Sequence, residues 1–205
     1  LLLVWAAILA VVLAVGLLLT GPLQGSVGVT ENDWEAWIAA HRSAGLTRAA
    51  DAVSYLGDTT TELILGPTLM VAAWLWRRAV GPVVFLGSLI AGEIALYLVA
   101  VNVVGRQRPP VPLLDRGLGP THSYPSGHVA AATAIYGGIA ALIWLSIGDR
   151  RRWLGAPLLV LPPLVAVARL YQGVHHVSDV VASLLFVSIW LATNAVLVLR
   201  EPTVR

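Results

Sequence analysis

Long apolar runs separated by short polar stretches dominate the chain. Several of these runs approach the length of about 20 residues that crosses a bilayer as a helix. Six such runs can be recognised: residues 1–19, 62–76, 80–104, 128–147, 154–168 and 180–199. They predict an all-α fold, a bundle of six transmembrane helices that forms a single integral membrane domain over residues 1–205.

The segment between the first two runs has a different pattern. From Thr30 to Leu56, apolar residues recur at helical spacing among charged ones. Thr30 would cap the first helix, with Glu31 and other polar residues in its first turn. This pattern predicts one or two short amphipathic helices at the membrane interface, with Trp34 and Trp37 at the depth of the headgroups. A loop packed over the bundle is the alternative interpretation.

Composition supports a membrane protein and narrows the possible partners. The chain has 205 residues, of which 58% are hydrophobic and only 12% are charged, whereas about a quarter of the residues are charged in soluble domains. Cysteine is absent, so the sequence offers neither disulfides nor thiolate metal ligands. The net charge of +2 is small and dispersed. We therefore expect the bilayer and its lipids as partners, and no nucleic acid; the oligomeric state is left open.

The positions of the basic residues predict an orientation. All thirteen are arginine. If six spans alternate, one side of the membrane holds Arg77, Arg78, Arg150, Arg151, Arg152, Arg200 and Arg205. The positive-inside rule makes that side cytoplasmic, together with both termini. The remaining arginines near the spans, Arg106, Arg108, Arg116 and Arg169, fall on the opposite side, where anion binding would explain them. We therefore expect a plasma-membrane protein whose anion-binding arginines face the periplasm or the exterior.

Candidate chemistry is concentrated in the stretch from 167 to 180. It holds Arg169, His175 and Asp179 directly before an apolar run. Polar groups so close to a membrane core indicate a functional site, although residues where a helix leaves the bilayer would look similar. If His175 and Asp179 share one helix, their spacing of four lets the carboxylate reach the ring. A histidine oriented in this way can act as a nucleophile or a base.

Two upstream stretches could complete an anion site. One contains Arg108 followed by proline, and the other reads Pro-Ser-Gly-His from residue 125 to His128. The second opens the fourth span, so the amides of Ser126, Gly127 and His128 would point outward from a helix N-terminus. Arg108 and Arg169 would supply planar guanidinium groups that suit phosphate oxygens.

Taken in order, R-P, P-S-G-H and R-x5-H-x3-D resemble the signature of the type 2 phosphatidic acid phosphatase (PAP2) superfamily, which also includes vanadium haloperoxidases. The resemblance implies a PAP2/haloperoxidase-like helical bundle that needs no metal or cofactor. It also implies that His175 attacks phosphorus and becomes a phosphohistidine, that Asp179 orients it, and that His128 protonates the leaving oxygen. The phosphate-binding residues implied are Arg108, Ser126, Gly127 and Arg169.

The first part of the signature is incomplete. The family pattern is K-x6-R-P, and Val101 stands where lysine is expected. Asn102 or Arg106 could supply the missing donor, and we favour Arg106 because it lies in the same loop as Arg108. Otherwise the phosphate pocket would be weaker.

Three further ionisable residues need an interpretation. Glu93 lies inside the third span, where it requires a partner, and it could either support the site or bond to another helix. His122 and His176 flank the motifs and are interpreted as surface or packing residues.

The function expected from this pattern is hydrolysis of a lipid phosphate monoester or diphosphate. Candidate substrates are phosphatidic acid, phosphatidylglycerol phosphate and polyprenyl phosphate or diphosphate, whose tails could stay in the bilayer. A phosphotransferase that uses the same intermediate is one alternative. A non-catalytic lipid-binding or transport relative is the other, since Val101 interrupts the first motif.

Overall fold

The computed structural model describes residues 1–115, 117–146 and 149–199, without the side chains at 146 and 149–152. The described residues form eight α-helices. These are α1 (Leu2–Thr20), α2 (Val29–Ala40), α3 (Ala44–Ser54), α4 (Thr59–Arg77), α5 (Gly81–Val104), α6 (Gly127–Ser146), α7 (Leu161–Tyr171) and α8 (Val177–Leu199). Of the arginines used to predict orientation, Arg116, Arg200 and Arg205, and the side chains of Arg150, Arg151 and Arg152, lie outside this description.

The prediction of an all-α membrane protein is confirmed. Within the described ranges, five helical segments are long and apolar enough to cross a membrane: Leu2–Thr20, Gly81–Val104, Gly127–Leu145, Trp153–Tyr171 and Val177–Leu199. The predicted span 62–76 lies within α4, which begins with three threonines and Glu62 and is not among the five. Its crossing of the membrane therefore stays a prediction.

Helix α6 lies at the centre of the bundle and contacts α4, α5, α7 and α8. Its first half is rich in alanine, and Ala130, Ala132 and Ala134 are fully buried. Small side chains let neighbouring helices approach closely, which is how helices associate inside a membrane. The helix that begins with the Ser-Gly-His motif is thus held from all sides.

The fifth predicted span changes helix type along its length. A 3₁₀ helix covers Asp149–Val160, and α7 begins at Leu161. Pro162 and Pro163 therefore occupy the first turn of α7, where the missing N–H donors would have had no intrahelical acceptor. The two prolines thus mark the junction between two types of helix.

Two helices, α2 and α3, follow α1, where the sequence predicted one or two. Their location at the membrane interface stays a prediction. Trp34 and Trp37 are exposed on α2. Thr30 is not a cap, because a π-helical turn over Gln24–Gly28 leads directly into α2 and the Thr30 hydroxyl donates to the carbonyl of Ser26. Glu31 and Glu35 are buried, so this helix directs two carboxylates towards the bundle.

Glu93 has a partner on a neighbouring helix. Its carboxyl group lies beside that of Glu62 on α4, and both residues are buried. Of the two interpretations of Glu93, an interhelical contact between α4 and α5 is therefore the one observed.

Gly57 holds the end of α3 against the start of α6, and its substitution is a test of the fold. It closes a 3₁₀ turn over Tyr55–Gly57, and a Cβ atom there would overlap the His128 carbonyl oxygen. We expect Gly57→Ala to lower the free energy of unfolding by roughly 1–3 kcal/mol, the usual effect of overpacking. Thermal unfolding of the detergent-solubilised protein measures the change.

The matched control is Gly87→Ala, where the added Cβ would lie 3.6 Å from the Met70 sulfur, an ordinary contact. Equal melting temperatures for the two variants would contradict the packing described at Gly57.

Candidate active site

The three motif regions meet at one end of the bundle. The Ser123 amide donates to the Arg106 carbonyl, and the Ser126 amide donates to the Asp179 carbonyl. These main-chain bonds tie the loop after α5, the start of α6 and the start of α8 together. Residues far apart in the sequence thereby become neighbours.

His175 does not lie on the same helix as Asp179, because α8 begins only at Val177. The expectation that the two residues share a helical face is wrong. The His175 Nδ1 atom lies 2.7 Å from the Ser123 carbonyl oxygen and 3.8 Å from the nearest Asp179 oxygen. A carbonyl can only accept, so Nδ1 carries the proton and Nε2 keeps its lone pair.

The environment of His175 favours the neutral ring. Burial is the main reason why the pKa of His175 lies at about 4 instead of the ordinary 6.5. The positive charges of Arg169 and Arg108 also lower it, whereas the Asp179 carboxylate opposes them. At neutral pH the imidazole is thus unprotonated at Nε2, as a nucleophile requires.

Asp179 is fully buried and satisfied by three groups other than the His175 ring. Its carboxylate accepts from the Ser123 hydroxyl, from the His176 amide at 2.8 Å and from Arg106 at 2.5 Å. The bond to the His176 amide is that of an acid in the first turn that reaches back to cap its own helix. Asp179 therefore acts on His175 through its charge and through Ser123.

His128 faces an open polar cavity of about 490 Å³. Its Nε2 atom lies 3.7 Å from a carboxylate oxygen of Asp58, the residue that caps α4. Arg169 lines the same cavity, whose remaining walls are formed by Asp51, Ser54, Tyr55, Leu114, Asp115 and Gln172. A histidine and a guanidinium thus share a space with room for a phosphate group.

Arg169 is buried, and one of its terminal nitrogens is already bonded. That nitrogen donates to the Ser54 hydroxyl at 2.9 Å, to Gln172 Oε1 at 3.0 Å and to Asp115 Oδ2 at 3.2 Å. Its Nε has no acceptor within the described part of the chain. The guanidinium is held in place through one terminal nitrogen, and its Nε–H stays available.

Arg108 is bonded to the main chain. Its guanidinium donates to the carbonyls of Gly119, His122 and Val174, which joins both ends of its own loop to the turn that carries His175. Three of its five N–H groups are used in this way. Two remain for a ligand.

The start of α6 agrees only partly with the prediction. The amides of Gly127 and His128 lie in the first turn, where no intrahelical acceptor exists, but the Ser126 amide donates to Asp179 at 3.4 Å. The Ser126 hydroxyl is buried and has no hydrogen-bond partner among the described residues. It is a buried donor without an acceptor among the described residues.

Neither of the residues proposed to replace the missing lysine is free to do so. The Arg106 guanidinium is buried, bonded to Asp179 and also to Glu31 at 2.8 Å. Asn102 is exposed and donates to the Leu98 carbonyl of its own helix. Our preference for Arg106 as the substitute donor is therefore corrected, because two carboxylates already hold it.

The two flanking histidines occupy different surroundings. His122 is exposed and contacts Thr121, whereas His176 is buried and lies 3.1 Å from Glu35. Both agree with their interpretation as surface or packing residues. Among the residues described, no three histidine or acidic side chains are grouped so as to hold a metal ion.

Known proteins with similar sequences identify the family to which this chain belongs. The profile of the PAP2 superfamily matches residues 81–201. This chain belongs to the PAP2 superfamily. It is 30% identical over 138 residues, 66% of this chain and 71% of the relative, to the decaprenylphosphoryl-5-phosphoribose phosphatase of Mycobacterium tuberculosis, found in two strains.

A solved structure shares the fold. The transmembrane PAP2-type phosphatidylglycerolphosphate phosphatase from Bacillus subtilis superposes with a TM-score of 0.77 and 18% identity, and the match covers 98% of each chain. Membership of the PAP2 superfamily is thus accompanied by a membrane PAP2 fold over nearly the whole chain.

Several residues of this PAP2 site were missed in the sequence. Asp58 and Asp115 approach His128 and Arg169 from segments that carry no motif. Ser123 acts on His175 through its carbonyl, and a main-chain atom leaves no signal in a sequence. Only Asp115 carried a hint, since it is an acid in a loop otherwise populated by arginines.

Asp115 sits where a phosphate oxygen would approach Arg169, and this contact can be tested. Because Asp115→Asn removes the carboxylate that pairs with Arg169, we expect inorganic phosphate to inhibit about two- to fivefold more strongly, the range of a partly exposed ion pair. The inhibition constant of phosphate measures the effect.

Asp51→Asn is the control, since Asp51 lines the same cavity but accepts from Gln172 and not from an arginine. Weaker phosphate inhibition in Asp115→Asn would mean that this carboxylate orients Arg169 instead of competing with the anion.

Proposed function

We propose that this protein is a membrane lipid phosphatase that hydrolyses a phosphate monoester or diphosphate of a lipid through a phosphohistidine at His175. The observation that carries the proposal is the state of His175. Its Nδ1–H is bonded to a carbonyl and its ring is neutral, and two arginines act on it. Membership of the PAP2 superfamily supports the same chemistry.

The first step transfers phosphate to the protein. His175 Nε2 attacks phosphorus, the bond from phosphorus to the lipid oxygen breaks, and protonated His128 gives its proton to that oxygen. Arg108, Arg169 and the amides at the start of α6 neutralise the non-bridging oxygens, where charge accumulates. The Ser126 hydroxyl is a further donor to these oxygens.

In the second step water attacks the phosphohistidine. His128, now neutral, takes a proton from this water, the bond from phosphorus to His175 breaks, and inorganic phosphate leaves. The cycle restores both histidines and uses no redox change. The proposed cycle uses no metal ion.

A lipid substrate is supported by the position of the cavity and by the relatives. The cavity opens at the ends of membrane-spanning helices, so a headgroup could enter while its tails remain in the bilayer. The Mycobacterium tuberculosis relative is named for decaprenylphosphoryl-5-phosphoribose, and the Bacillus subtilis structure for phosphatidylglycerolphosphate. Phosphatidic acid, phosphatidylglycerol phosphate and polyprenyl phosphates or diphosphates are therefore the substrates to test.

We also propose six spans with the site on the extracytoplasmic face. Helix α4 begins at Asp58 beside His128, and α5 ends just before Arg106, also at the site. Because α5 follows α4 directly, α4 must run from the site end to the opposite end. Its 19 residues would extend about 28 Å, close to the thickness of a bilayer core.

The roles of the two histidines can be separated by trapping the intermediate. We expect His175→Ala to abolish phosphate release. His128→Ala should still form a phosphoenzyme from a substrate with a good leaving group, because such a group needs no proton. Labelling with ³²P, quenched in alkali because the P–N bond of a phosphohistidine hydrolyses in acid, measures the intermediate. A panel of lipid phosphates assayed with a chelator measures turnover.

His122→Ala is the control, because His122 is exposed and takes no part in the mechanism. Normal turnover by His175→Ala would refute the assignment of the nucleophile. Transfer of phosphate to an alcohol, with no inorganic phosphate formed, would identify a phosphotransferase.

The orientation can be tested by cysteine labelling, since the chain has no cysteine. We expect Leu118→Cys, in the loop 105–124, to react with an impermeant maleimide in intact cells. Val80→Cys, between α4 and α5, should react only after permeabilisation. The loop 148–153 is likewise expected to be cytoplasmic. The reverse labelling pattern would invert the orientation, and labelling of both positions in intact cells would show that α4 does not cross.

A further inference from the structure

The side chain of Tyr97 on α5 packs directly against the start of α6. A Cβ atom added to Gly127 would lie 3.0 Å from both Cε2 and Cζ of the Tyr97 ring and 3.4 Å from its hydroxyl oxygen. The absence of a side chain at position 127 is what lets the ring lie there. The phenol end of Tyr97 is thus beside the helix N-terminus that carries Ser126, Gly127 and His128.

The hydroxyl of Tyr97 makes no hydrogen bond within the described part of the chain, although the residue is partly buried. The other partly or fully buried tyrosines differ in this respect. Tyr124 donates to the Val12 carbonyl, Tyr136 to the Leu56 carbonyl and Tyr171 to the Ser43 carbonyl. Buried tyrosine hydroxyls usually find a partner. The exception lies at the candidate active site.

The charges around Tyr97 are those of the phosphate site. Arg108 and Arg169 both act electrostatically on the phenol, and so does Glu93, one helical turn earlier. Val101 lies one turn later on the same face of α5 and is buried without a polar atom. Val101, at the position where the resemblance predicts lysine, therefore offers no hydrogen-bond donor. Tyr97, one turn earlier on the same face of α5, offers a hydroxyl without a partner among the described residues.

We propose that Tyr97 is a phosphate-binding residue, whose hydroxyl donates a hydrogen bond to a non-bridging oxygen of the substrate phosphate and of the phosphohistidine. The phenol keeps its proton throughout, so it contributes a neutral donor and not a second acid. Together with the Ser126 hydroxyl and the first amides of α6, it would surround an anion held between Arg108 and Arg169. This proposal rests on the phosphatase function proposed above.

The test compares Tyr97→Phe with the wild-type protein. Phenylalanine keeps the ring that packs on Gly127 and removes only the hydroxyl. Because a hydrogen bond to a charged group is lost, we expect kcat/KM for the lipid phosphate to fall by about tenfold to a hundredfold. Inhibition by orthovanadate, which resembles the phosphoryl group in the transition state, should weaken by a similar factor, with little change in melting temperature.

Tyr136→Phe is the matched control, since it loses a hydroxyl that is already bonded to the Leu56 carbonyl and that is assigned no contact with phosphate. It should lower the melting temperature and leave orthovanadate inhibition unchanged. A second variant tests compensation: Val101→Lys added to Tyr97→Phe should recover part of the lost orthovanadate binding, because an ammonium one turn away would reach the same anion.

The outcomes separate this proposal from the one on which it rests. Release of phosphate by the wild-type protein, with equal kcat/KM and equal orthovanadate inhibition in Tyr97→Phe, would overturn the role of Tyr97 and leave the phosphatase intact. Failure of the wild-type protein to release phosphate from any lipid phosphate would instead overturn the proposed function. A melting temperature that falls in Tyr97→Phe while orthovanadate inhibition is unchanged would assign the hydroxyl a structural role only.

Discussion

The buried guanidinium of Arg106 is the interaction on which the geometry of the site depends. It joins Glu31 of α2 to Asp179 of α8, and its main-chain carbonyl accepts from the Ser123 amide. Removing one member of a buried ion pair costs about 3–5 kcal/mol, because the remaining charge is left without compensation. Arg106 here has two such partners. The position of Asp179, and through Ser123 that of His175, follows from this network.

The two arginines that we propose as phosphate ligands are held in place by groups of the protein itself. Arg108 is bonded to three carbonyls, and Arg169 to Ser54, Gln172 and Asp115. Donors that are already oriented need no rearrangement when charge develops on a phosphoryl group, which is the main source of electrostatic catalysis. Helix α2 also helps to hold the site, because it directs Glu31 inward to Arg106. Its outer face exposes Trp34 and Trp37. A helix interpreted as a surface element is thus also part of the site's support.

The sequence alone predicted the apolar helices and the residues of the three motifs, because both are local patterns. Apolar length identifies a span whatever its neighbours are, and Pro-Ser-Gly-His marks a helix start by itself. The contacts between motifs could not be read in this way. The spacing of four between His175 and Asp179 indicated a shared helix, but Gly173 and the turn around it delay the start of α8 until Val177. Arg106 was interpreted as a phosphate donor because it lies in the same loop as Arg108. Its acidic partner Glu31 lies 75 residues earlier, so no local pattern indicated the pairing.

The acceptor that sets the tautomer of His175 is a main-chain carbonyl, that of Ser123. Every amino acid at position 123 supplies the same carbonyl oxygen, so side-chain substitution does not delete this contact. In a saturation mutagenesis scan, the effects of substitutions at position 123 would report only the loss of the hydroxyl bond to Asp179 and the change in side-chain size. The group that prepares the nucleophile would stay invisible to such a scan. Replacing the amide bond that follows Ser123 with an ester would keep this oxygen but make it a weaker hydrogen-bond acceptor. Chemical modification of the backbone can therefore weaken this contact, whereas a side-chain substitution cannot.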